Sequence, residues 1–84
     1  MSESELIEQL ADKEHASWAR WMDYLFSKCW KDGNGCMVIP EALVDQWQRQ
    51  IDTPYAGLSE QEKQSDRNEV AHILPIIEKY AKEA

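Results

Sequence analysis

The chain has 84 residues, enough for one domain near the lower end of what folds unaided. Its formal net charge is −7, and its Lys and Arg residues stand singly without forming a stripe, which argues against autonomous nucleic-acid binding. No run of about 18 apolar residues is present to span a bilayer. The acidic start MSESELIEQ has neither the basic nor the apolar region of a signal peptide, so the expected location is cytoplasmic.

Helix 1 is expected to begin near Ser2–Ser4 and to run to about Trp30, with Ser2 and Glu5 forming a capping box and Ser4 as the competing cap. At 100° per residue, Ile7, Leu10, Ala11, Trp18, Trp21 and Leu25 fall on one stripe. Glu14 lies in the middle of it. His15 and Met22 follow one edge, and Leu6 and Tyr24 the other. Glu3, Glu5, Glu8, Asp12, Arg20 and Asp23 fall on other faces. Asp32-Gly33-Asn34-Gly35 then breaks the helix, because Asp-Gly and Asn-Gly steps favour turns with positive φ. Cys36–Ile39 is short and apolar; lacking an evident partner strand, it is expected to lie extended over the core.

Pro40 suits the first turn of helix 2, whose apolar face is Leu43, Val44, Trp47 and Ile51; Glu41, Asp45 and Arg49 face solvent, and the helix ends near Asp52. Thr53-Pro54 should stop it. Tyr55-Ala56-Gly57 makes a tight turn in which Gly57 is free to take positive φ. Ser59 and Glu62 form a capping box for helix 3, and Glu60 and Glu62 suit the positive end of its dipole. Helix 3 should reach about Lys82 with Val70, Ile73, Leu74, Ile77 and Ala81 as its stripe and a kink at Pro75. The expected fold is all-α: a single domain over residues 1–84 with three main helices in a small bundle, an extended segment after helix 1 and a kink in the last helix. Four Trp, three Tyr and one Phe supply its core, each removing roughly 150–250 Å² from water when buried. Trp18, Trp21 and Trp47 are read as core; Trp30, off the stripe, either packs on the extended segment or serves as an exposed contact.

The residues Pro54, Tyr55, Leu58, Ser59, Glu60, Glu62, Lys63, Asp66 and Arg67 stand in the pattern PYxxLSExEKxxDR. With Glu14, His15 and Trp18 upstream, this resembles the ryanodine-receptor-type repeat, a small helical domain also found in bacterial and phage proteins. The resemblance implies a stand-alone helical module of phage or prophage origin. It also implies an adenine nucleotide or related small anion as ligand, with Trp18, Trp47, Tyr55, Lys63 and Arg67 around it.

The residues themselves raise a different possibility. Glu14 and Asp66 lie on apolar faces, and a carboxylate buried alone costs several kcal/mol. The simplest solution is a polar clasp between helices 1 and 3: Glu14 pairs with Arg67, and Asp66 accepts from His15, a Trp N–H or the Tyr55 hydroxyl. The same cluster with aromatic walls could instead orient a ligand. Glu14, His15 and Asp66 could serve as acid and base, but no nucleophile motif or glycine-rich phosphate loop accompanies them, so the chain reads as non-enzymatic. Cys29 and Cys36 are expected as free thiols. Their spacing, with His15 and His72, is not that of a zinc site, and neither metal nor cofactor is expected. The expected function is an interaction or ligand-sensing module, as monomer or weak homodimer through residues around Trp30 and Met37. The alternative is an acidic inhibitor or adaptor that binds a host protein, including by mimicry of nucleic acid.

Overall fold

A computed structural model describes residues 1–83. The order is α1 (Glu3–Lys28), β1 (Trp30–Lys31), β2 (Met37–Val38), α2 (Glu41–Ile51), a 3₁₀ turn (Tyr55–Gly57) and α3 (Glu60–Glu83). The protein is mostly helical, as expected, and no described helix is long and apolar enough to cross a membrane.

Local chemistry accounts for each boundary. The Ser2 Oγ accepts the Glu5 amide at 3.1 Å and starts α1. The helix stops at Cys29, whose backbone is extended (φ −99, ψ 168), two residues earlier than the sequence suggests. Trp30 and Lys31 then have a partner after all: Trp30 pairs with Val38 and Lys31 with Met37, antiparallel. The segment after Cys36 is therefore one edge of a minimal hairpin, correcting the expectation of an unpaired strip. Asp32 builds its turn. Its Oδ1 accepts the amides of Asn34 at 2.7 Å and Cys36 at 3.0 Å, and Gly35 supplies the positive φ of 83°.

The capping box at α3 is complete: the Glu62 amide donates to Ser59 Oγ at 3.2 Å, and the Ser59 amide donates to Glu62 Oε1 at 3.0 Å. Gly57 does not take positive φ. Its glycine serves a close approach instead, since a Cβ there would lie 3.1 Å from the Thr53 methyl. α3 continues through Pro75 as a single helix.

α1 and α3 form the main helix–helix contact and run antiparallel. The Met1 ammonium meets Glu83 at 2.6 Å at one end, and Arg20 meets Glu69 at 2.6 Å further along. The extents are 53 × 32 × 16 Å. The smallest is half the next, so the chain is a flat layer with α1 and α3 side by side. Its radius of gyration is 16.9 Å, against about 12 Å for a compact chain of this length.

A single layer cannot bury both its faces, and no described residue is buried. This corrects the expected core. Trp18 and Trp21 are each 57% exposed, Ile7 is 56% and Val70 52%. The stripes are present, but the chain covers them only in part: Leu10, Leu25 and Ile73 are half-buried and Trp21 meets Trp47, while the rest of both stripes stays open.

Ser59→Ala removes one half of the α3 cap. We expect a loss of about 1 kcal/mol in urea unfolding at fixed chain concentration, with the midpoint lowered and the slope unchanged.

Candidate interaction surface

Each long helix carries two adjacent rows of side chains. On α1, Leu6, Leu10, Lys13 and Ser17 are half-buried, and on α3 Glu69, Ile73, Ile76 and Tyr80 are half-buried. These rows face each other across the antiparallel pair. One position further along α1 lie Ile7, Ala11, Glu14, Trp18 and Trp21, all exposed. One position further along α3 lie Val70, Leu74, Ile77 and Ala81, also exposed.

The same one-residue step turns each row about 100° in the same helical sense. In an antiparallel pair that rotation brings both exposed rows to the same side of the layer. The spacing is 4-3-4-3 on α1 and 4-3-4 on α3, the 3.5-residue repeat of helices that pack against partner helices. Only Glu14 interrupts the apolar series with a charge.

At the Arg20–Glu69 end, α2 stands against the pair. Trp21 meets Trp47 edge-on with ring centroids 6.3 Å apart and stacks on Tyr24 at 5.3 Å. Between the three helices opens a groove of about 1210 Å³, whose lining includes Arg20, Trp21, Trp47, Arg49, Glu62 and Asp66. That exceeds the ~300–1,000 Å³ of ordinary small-molecule pockets.

Two ion pairs brace the groove. Arg20 donates to both Glu69 oxygens, at 3.3 and 2.6 Å. Arg49 donates to both Glu62 oxygens, at 3.5 and 2.7 Å. The Arg20 hydrogen bond holds the Glu69 carboxyl below its ordinary range, and Glu69 in turn raises the Arg20 pKa. Glu62 is lowered to about 2, first by the Arg49 hydrogen bond and then by the Ser59 amide and hydroxyl. The sequence places both arginines on outer faces. Their partners are set by how the helices meet, and no local pattern marks them.

The sequence-derived ligand set does not assemble into one site. Trp18 stacks on His15 at 5.7 Å on the open face, whereas Trp47 lines the groove. Tyr55, Lys63 and Arg67 do gather: Lys63 Nζ stands 5.8 Å from the Tyr55 ring centroid. The Arg67 pKa is raised, first by its hydrogen bond to Glu60 and next by Tyr55.

The Glu14–Arg67 clasp is not formed. Arg67 Nη1 donates to Glu60 Oε2 at 3.2 Å and to Gln64 at 3.4 Å within its own helix. The register explains this. With Arg20 opposite Glu69, Arg67 stands level with about residue 22, roughly 12 Å along the axis from Glu14. Asp66 lines the groove, and neither it nor Glu14 makes a side-chain hydrogen bond among the described residues. Cys29 and Cys36 are free thiols, and no group of three potential metal ligands gathers among the described residues.

Compared with known protein families, curated proteins and solved structures, the chain matches none.

The Glu62 pKa is depressed on folding, so its contribution to stability is present above the unfolded value of 4.5 and fades as pH falls towards about 2. Unfolding midpoints should therefore drop through that acid window. Arg49→Gln should flatten the drop; an unchanged acid profile would show that the pair adds nothing in solution.

Proposed function

We propose that this chain is a non-enzymatic helical interaction module whose working surface is the apolar face shared by α1 and α3. The carrying observation is that both helices present a 3.5-residue row, apolar except for Glu14, to solvent on the same side. Contiguous exposed apolar patches on this scale mark association surfaces. The braced groove beside the face holds α2 in place and carries neither a nucleophile motif nor a glycine-rich phosphate loop. The resemblance to the ryanodine-receptor-type repeat would imply a phage or prophage origin.

A second reading, small-anion or adenine-nucleotide binding, draws on one observation: Lys63 and Arg67 both flank Tyr55. It is the weaker, because Glu60 already engages both cations, at 3.7 Å for Lys63 and 3.2 Å for Arg67. The adaptor or inhibitor reading rests on overall charge alone.

A photo-crosslinking amino acid placed at Trp18, and separately at Leu74, should give discrete protein adducts in cells. The same group at Asn34, in the hairpin turn, should give none. Absence of adducts from both face positions would contradict the interaction reading. Saturable heat on calorimetric titration with ATP or ADP-ribose, lost in Arg67→Ala, would favour the nucleotide reading instead.

A further inference from the structure

We propose that the occupant of the open face is a second copy of this chain, giving a twofold-symmetric four-helix bundle whose core lies between the two copies. The proposal rests on the interaction reading above and specifies its partner.

Surface area is the first support. The chain exposes 6618 Å², whereas a folded monomer of this mass exposes about 5,200 Å². The excess of roughly 1,400 Å² per chain amounts to about 2,800 Å² for a pair, within the range of obligate homodimers.

Geometry is the second. In a four-helix bundle every helix touches two neighbours. α1 and α3 each have two adjacent 3.5-residue rows, one met inside the chain and one open. A twofold axis between two such layers gives each open row a partner of the same spacing, which is the self-complementarity a symmetric interface requires.

The third support is energetic. A chain in which none of the described residues is buried has little burial to offset conformational entropy, which favours a partner that is present from the start. A second copy is the one partner present whenever the chain is made. The charges are placed accordingly. Of the 9 Lys and Arg and 16 Asp and Glu residues, only Glu14 sits on the open rows. A lone polar residue in such a seam fixes register and oligomeric state and weakens the assembly.

Sedimentation equilibrium at micromolar concentration tests this. The expected species is twice the 9.8 kDa chain mass. Leu74→Glu should weaken association about a hundredfold or more by placing a charge in the seam. Because that change also removes the fold of an obligate dimer, Glu14→Leu is the decisive variant: it should tighten the dimer about tenfold. A helical monomer at high concentration, a trimer or larger closed assembly, or an unchanged dissociation constant in Glu14→Leu would each overturn the proposal. A chain that is monomeric alone and folds only on a different protein would overturn it too, while leaving the interaction reading in place.

Discussion

The structure turns on the contact between α1 and α3. It is long, antiparallel and narrow, using one row of each helix and leaving the next row open. Everything else follows from that width. The chain becomes a layer, Trp18, Trp21 and Trp30 stay largely exposed, and α2 and the hairpin attach at one end without closing a second layer over the first. Protein interiors need two packed layers, and here one chain provides one.

Polar interactions set the register of this layer more than its strength. The Met1–Glu83 and Arg20–Glu69 contacts pin two points along the antiparallel pair, and Arg49–Glu62 ties α2 to the start of α3. The arginines are largely exposed, and such pairs contribute little net stability. Glu62 is the best organised of these groups, because it also closes the capping box with Ser59. One carboxylate thus starts α3 and fixes the angle at which α2 arrives. The stabilising burial has to come from the apolar rows.

Much of this was legible in the sequence. Ser2, Ser59, Glu62, Pro54 and the Asp-Gly-Asn-Gly turn act locally, and the elements fall close to where those residues put them. The apolar stripes of α1 and α3 were legible too, since a 3.5-residue period survives in any context. What the sequence could not convey is which part of a wide stripe meets a partner in the same chain. The stripe through Ile7, Trp18 and Trp21 looks like a core face because it is one in pattern, yet the in-chain contact uses the row one residue back. Arg20–Glu69 was hidden for a related reason: its residues are 49 apart and meet only once the register exists. The Glu14–Arg67 pair was inferred from faces without levels along the helix axis. The hairpin escaped notice because two-residue strands have no period to read.

Folding and assembly of an obligate dimer are a single equilibrium, so stability must depend on how much chain is present. The most direct measurement is thermal unfolding followed by far-ultraviolet circular dichroism over a hundredfold range of chain concentration. A midpoint that rises steadily with concentration, with helix signal and assembly lost together, is the result expected of a layer that completes its core between copies. A cooperative transition whose midpoint is the same at every concentration would show that one chain is stable with its tryptophans in water, and would contradict the account.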